Sequence, residues 1–148
     1  MKSPQLVSLL LAASILPPVA TAAGPGELWQ ISTRMEDKAD KVTLSSRAQN
    51  QCLPKGARND EVMPLRKGCK LMDERVSGST TTFRFQCGEK EQLTGSGEIN
   101  RPDPENYTGS MQMQGTSGKG RPVDVQLNFV GQRIGDCTVG EPIAEQPQ

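Results

Sequence analysis

Residues 80–129 read TTTFRFQCGEKEQLTGSGEINRPDPENYTGSMQMQGTSGKGRPVDVQLNF, and within them apolar side chains fall on odd numbers and polar ones on even. Phe83, Phe85 and Cys87 alternate with Thr82, Arg84 and Gln86; Leu93, Gly95, Gly97 and Ile99 with Thr94, Ser96 and Glu98. Tyr107, Gly109, Met111 and Met113 alternate with Thr108, Ser110 and Gln112, and Val123, Val125, Leu127 and Phe129 with Asp124, Gln126 and Asn128. A period of two marks half-buried strands. Turn residues separate the runs: Gly88, then Arg101-Pro102-Asp103-Pro104, then Thr116-Ser117-Gly118-Lys119-Gly120. Each connection is short enough to join antiparallel neighbours, so the expected topology is a meander.

Short turns place Phe85 opposite Leu93, Phe83 opposite Gly95, Ile99 opposite Tyr107 and Tyr107 opposite Phe129 in this reading. Three inward glycines, Gly95, Gly97 and Gly109, then cluster on one face. A strand glycine needs a reason, either a sharp bend or a large group lying on bare backbone. The expectation is strong curvature, with Phe83 covering Gly95.

The pattern continues upstream. Trp29, Ile31, Thr33 and Met35 alternate with polar neighbours, and a second strand is expected with Val42, Leu44, Ser46 and Ala48 inward, Met35 opposite Val42 and Trp29 opposite Ala48. Between Asn50 and Gly68 the alternation stops, in a loop long enough for a turn of helix around Asp60 to Met63. Residues 70–77 form an untidy strand, joined by the Gly78-Ser79 turn so that Val76 meets Thr81. It points Glu74 inward unless a bulge releases it. The fold class is therefore all-β: a single antiparallel meander of about seven strands, as a strongly curved sheet or a small lipocalin-like barrel.

Of the 148 residues, the first 22 have the organisation of a signal peptide: Lys2, an apolar run over 6–16, and the small-residue site Ala20-Thr21-Ala22. The mature β domain covers 23–137, and 138–148 is a patternless tail with two prolines. An apolar run this short does not span a bilayer, so a periplasmic or secreted, non-membrane-spanning product is expected. Losing Lys2 leaves 16 Lys+Arg against 17 Asp+Glu, one of the original 17 basic residues being removed. That balance offers no handle for nucleic acid.

Only 3% of the residues are aromatic, and four cysteines, Cys52, Cys69, Cys87 and Cys137, staple so thin a core. Zinc is disfavoured because histidine is absent and no Cys-x-x-Cys pair occurs. Four cysteines allow three connectivities. Cys52–Cys69 with Cys87–Cys137 is favoured on the expectation that the second and third strands are adjacent and that 131–136 doubles back.

The order Gly26-Glu27-Leu28-Trp29, Gln51-Cys52-Leu53, Cys69-Lys70, Phe83 to Cys87, Thr94-Gly95-Ser96-Gly97-Glu98, Tyr107-Thr108-Gly109-Ser110-Met111 and Arg133-Ile134-Gly135-Asp136-Cys137 resembles the secreted bacterial family called domain of unknown function 3617. That resemblance implies a periplasmic or secreted address and transfers no catalytic residue.

Without histidine, Ser-His and Cys-His nucleophiles are excluded, and the remaining acid–base candidates are Glu74 with Glu98 or Asp124. Thr94-Gly95-Ser96-Gly97 lies within a strand, not before a helix, which argues against a phosphate cradle. Met111 and Met113, with Met35 and Met72, are soft enough for Cu(I), but methionine is more often a core filler, so neither metal nor cofactor is assigned. Two non-enzymatic readings remain. In the first, Trp29, Phe83, Tyr107, Met111 and Phe129 line an apolar concave face that takes a small apolar ligand. In the second, the loops over 50–68 and 115–120 engage a periplasmic protein, in the manner of an inhibitor. Lys55, Arg58, Arg66, Lys67 and Lys70 flank the first of these loops.

Overall fold

The computed structural model describes residues 24–65, 68–88, 92–141 and 143; the signal-peptide assignment lies outside them, as does most of the expected tail. Seven strands form one antiparallel sheet: β1 (Pro25–Asp37), β2 (Thr43–Pro54), β3 (Cys69–Ser77), β4 (Thr80–Cys87), β5 (Gln92–Asp103), β6 (Asn106–Thr116) and β7 (Pro122–Thr138), with one helical turn, α1 (Asn59–Val62), between β2 and β3. The order across the sheet is β2-β1-β7-β6-β5-β4-β3. β3 to β7 is the expected meander. β1 then pairs along β7, from Pro25↔Thr138 to Asp37↔Val125. The sheet does not close into a barrel, and β2 and β3 are its two edges.

The alternation over 80–129 is realised as read. Phe83, Phe85, Cys87, Leu93, Ile99, Tyr107, Met111, Val125, Leu127 and Phe129 are buried, while Thr82, Arg84, Gln86, Thr94, Ser96, Glu98 and Gln112 are exposed. The pairing is offset by two residues from the expectation: Phe85 faces Gly95, Phe83 faces Gly97, Ile99 faces Gly109 and Tyr107 faces Gly131. An even offset keeps every side chain on its own face. What it changes is the partner, and the reason is steric. A Cβ at Gly95 would overlap the Phe85 ring, at Gly109 the Phe129 ring, and at Gly131 the Tyr107 ring. Each ring lies on the backbone of the glycine directly opposite, the arrangement by which aromatic residues compensate glycine in a strand. Phe85, not Phe83, covers Gly95.

An odd offset has the opposite effect, and β2 shows it. Trp29 pairs with Gln51 and Met35 with Ser45, so Leu44, Ser46 and Ala48 turn away from the core face. Val42 and Leu44 are 54% and 53% exposed, contrary to their expected burial. The cause is the β1–β2 turn, where Lys41 takes φ 61° and the Asp37 amide donates to the Val42 carbonyl. The Asp37 carboxylate accepts from the Ala39 and Asp40 amides, the first of these holding its pKa below the ordinary carboxylate range. In β3 the expected bulge is present: Val76 pairs with Thr81, the register shifts between Met72 and Arg75, Asp73 adopts φ 52°, and Glu74 is exposed.

The cysteines pair differently from the favoured scheme: Cys52 with Cys137, and Cys69 with Cys87. In the observed order β2 and β3 run in the same direction at opposite edges, so the end of β2 and the start of β3 lie at opposite ends of the sheet. Nor does 131–136 double back; it continues β7 alongside β1. Cys69 and Cys87 sit directly opposite each other on adjacent strands. Cys52 and Cys137 flank β1 and bridge over it at Gly26, where any Cβ would lie 2.9 Å from the Cys52 sulfur.

The connection from β2 to β3 must therefore travel the length of the sheet, and it does so across the core face. Ala57, Val62 and Met63 from it are buried in the same cluster as Trp29, Ile31, Phe83, Tyr107 and Phe129. α1 forms at the expected place, its first turn closed by Glu61, whose carboxylate accepts from the Arg58 amide.

Two outcomes follow for stability. Gly131→Ala forces a methyl into a buried, hydrogen-bonded ring and should cost more than about 3 kcal/mol in denaturant unfolding, whereas Gly135→Ala, with open space at its Cβ, should stay within about 1 kcal/mol of the parent. The bridge separated by 85 residues closes a longer loop than the one separated by 18. On chain-entropy grounds Cys52→Ala/Cys137→Ala should destabilise by about 1 kcal/mol more than Cys69→Ala/Cys87→Ala in the same measurement.

Candidate functional site

Trp29, Phe83, Tyr107, Met111 and Phe129 come together on one face, as the sequence indicates, and each is at most 2% exposed. The Trp29 and Tyr107 ring centroids lie 5.2 Å apart, and Tyr107 meets Phe129 edge-on at 6.3 Å. The β2–β3 connection closes over them. Tyr107 donates its hydroxyl to the Val62 carbonyl at 3.1 Å, Arg101 donates to the Ala57 carbonyl at 2.9 Å, and the Asn59 amide donates to Thr81 Oγ1 at 3.1 Å. Arg101 also stands 6.0 Å from the Tyr107 ring centre. These contacts fasten the connection to β4, β5 and β6. Burial pushes the Tyr107 phenol up to about 12, with the Arg101 guanidinium pulling the other way. Trp29 Nε1 is buried and has no acceptor among the described residues.

The opposite face of the sheet is polar and grooved. One hollow of about 300 Å³ is lined by Lys38, Arg84, Gln86, Thr94, Ser96 and Gln112, among others; a second of about 540 Å³ includes Asp73, Arg75, Thr82, Glu98 and Ser110. They share Arg84, Ser96 and Gln112, so they form one groove across β3 to β6. Lys38, from the β1–β2 turn, closes one end by donating to Gln112 Oε1 at 2.9 Å and lying 4.0 Å from Asp124. The lining mixes hydroxyls and amides with charges of both signs, Lys38, Arg75 and Arg84 against Asp73, Glu98 and Asp124, and with apolar residues such as Met72 and Met113.

A third cleft, of about 910 Å³, opens between the β2–β3 connection and β3, with Arg58, Asp60, Lys70, Glu74 and Arg101 on its walls. The three carboxylates singled out from the sequence are thus separated: Glu74 lines this cleft, Glu98 one hollow of the groove and Asp124 the other. The methionines disperse too, since Met111 is buried, Met35 and Met113 flank the core and Met72 is 47% exposed. Among the described residues, no three His, Cys, Asp or Glu side chains converge as a metal site requires, and no helix is long and apolar enough to cross a membrane. The groove was not anticipated from the sequence. Its signal was the run of uncharged hydroxyl and amide residues at even positions, which reads simply as a solvated face; the reach of Lys38 to Gln112 left no local trace.

The raised phenol ties stability to alkaline pH. Tyr107 ionises near 10 when unfolded but near 12 in the fold, so stability is intact below pH 10 and declines as pH climbs from 10 to 12. In urea unfolding this loss should be measurably smaller in Tyr107→Phe, which also lacks the bond to Val62 and should start less stable by about 1 kcal/mol.

Neither a curated protein nor a solved structure matches the chain. A family model does, over residues 24–137, from the residue before β1 to the last cysteine. The matched span holds all of β1 to β6, β7 up to its penultimate residue, and both disulfides. The chain belongs to the family described as protein of unknown function (DUF3617).

Proposed function

We propose that the chain is an exported, non-enzymatic binding module that engages a partner protein on the outside of its sheet, along the groove centred on Gln112. The observation that carries this reading is the closed interior: the apolar face that could have held a small ligand is occupied by the chain's own Ala57, Val62 and Met63. Close-packed interiors leave little room for a guest. The surface that stays free carries hydroxyls and amides on β4 to β6, among them Thr82, Gln86, Thr94, Ser96, Ser110 and Gln112, interspersed with charges of both signs. Those groups suit an extended polar segment, whose peptide groups need donors and acceptors in alternation. Export is supported by Lys2, the apolar run over 6–16 and the small residues before Ala23, together with disulfides suited to an oxidising compartment.

One observation favours a second reading, in which an apolar ligand displaces the β2–β3 connection and enters among Trp29, Phe83, Tyr107, Met111 and Phe129. An unpaired buried N–H costs about 1–3 kcal/mol, and Trp29 Nε1 is such a donor. A ligand carbonyl there would accept from it.

Photo-crosslinking in the source periplasm, followed by native mass spectrometry of the purified chain, separates the two. A crosslinker at Gln112 or Ser96 should yield an adduct of one discrete protein mass, absent when it is placed at Lys119, while the isolated chain weighs only its polypeptide with two disulfides. A small apolar molecule carried through purification, with no adduct at Gln112 or Ser96, overturns the groove in favour of the interior.

A further inference from the structure

We infer that the Cys69–Cys87 bridge is a redox latch: its reduction by a protein dithiol releases the edge strand β3, and with it one wall of the groove. β3 is paired on one side only, by β4, and none of its nine residues is buried. Of its side chains, Cys69 and Leu71 pack against the core cluster and stay partly exposed. The register breaks between Met72 and Arg75, where Asp73 takes φ 52°. The Arg84–Asp73 ion pair joins side chains 72% and 54% exposed, so it adds little in water. A strand with few buried contacts opens at the low end of local stability. What fixes β3 to the sheet beyond its ladder is the bridge from Cys69 to Cys87, directly opposite on β4.

The bridge is open to attack from one side. Cys69 lines the cleft of about 910 Å³ between the β2–β3 connection and β3, whereas Cys87 is 6% exposed. Arg58, Lys70 and Arg101 outnumber Asp60 and Glu74 on the cleft walls, a balance that attracts an incoming thiolate. That thiolate attacks the Cys69 sulfur, the bond to Cys87 breaks, and Cys87 leaves as a thiolate that takes up a proton. The second thiol of the reductant then attacks its own sulfur in the mixed disulfide and frees Cys69. Two electrons pass to the bridge, and the reductant ends as a disulfide.

The second bridge has no such freedom. It spans β1, which at Gly26 pairs with β2 on one side and β7 on the other, and Cys52 precedes the buried Leu53. After reduction those two sulfurs stay in place, and a dithiol held in register closes again readily. β3 leaves instead, so Cys69 and Cys87 separate and the open state persists. Met72, Asp73 and Arg75 of β3 line the groove, so binding there depends on the oxidised bridge. That consequence rests on the groove being the binding surface; the latch itself does not.

The oxidised mature chain, equilibrated with graded dithiothreitol and quenched with iodoacetamide, should carry alkyl groups on 69 and 87 at a concentration at least about tenfold below that needed for 52 and 137. At that point amide exchange over 69–77 should speed at least about tenfold, while 106–116 keeps its protection. Cys69→Ser/Cys87→Ser should show the same fast exchange without reductant, and a crosslinker at Gln112 should lose most of its adduct in that variant. Reduction of both bridges together, or alkylation at 69 and 87 with 69–77 still protected, overturns the latch. An undiminished adduct in the double variant overturns its control of the groove. No adduct even in the oxidised parent overturns binding in the groove, while exchange over 69–77 still decides the latch.

Discussion

Rings resting on bare backbone set the register of this sheet. Phe85 on Gly95, Phe129 on Gly109 and Tyr107 on Gly131 are each directly opposed pairs on neighbouring strands. They link β4 to β5 and β6 to β7 at positions where a slip would drive a ring into a neighbouring side chain. With 3% aromatic residues, the chain cannot build its core from ring-on-ring packing alone. Glycine makes each ring count for more, because the backbone itself becomes the apolar surface against which the ring is buried.

The same device decides what happens on the core face. Lying flat over Gly131, Tyr107 brings its hydroxyl to the Val62 carbonyl and its ring to Trp29 and Arg101. Arg101 in turn holds the Ala57 carbonyl. Main-chain polar groups of an irregular segment are thereby satisfied inside the molecule, without which burying that segment would be costly. The sheet thus acquires a lid made of its own chain, and its interior resembles a sandwich with one sheet layer replaced by a loop.

Much of the fold was legible because side-chain period survives any even error in pairing. Every odd-numbered apolar residue singled out between Phe83 and Phe129 lies on the core face, although the expected partners were displaced by two positions. Turn length alone could not resolve that displacement; the glycine–aromatic complementarity could have. β2 failed for a different reason. Leu44 and Ala48 alternate as a buried strand would, but the β1–β2 turn shifts the register by an odd number and puts them on the face away from the core, while Val42 falls in the turn itself. The cysteines were misassigned because connectivity depends on which strands are neighbours, and the pairing of β1 with β7 is a contact between the two ends of the chain. The five apolar residues proposed to line a ligand face were placed together correctly, but no local pattern announces that 55–65 will cover them.

The bridge from Cys52 to Cys137 has a temporal side. A ribosome or translocation channel delivers a chain from its N-terminus, so Cys69 and Cys87 are available to each other long before Cys137 appears. Trp29 then waits with one flank unpaired until β7, the last strand made, comes alongside β1 and the final cysteine closes over Gly26. Long-range pairing of this kind is slow to form. The molecule's largest fully buried side chain is thus also among those left longest in water, and a chaperone that shields a nascent chain would find its target at residue 29.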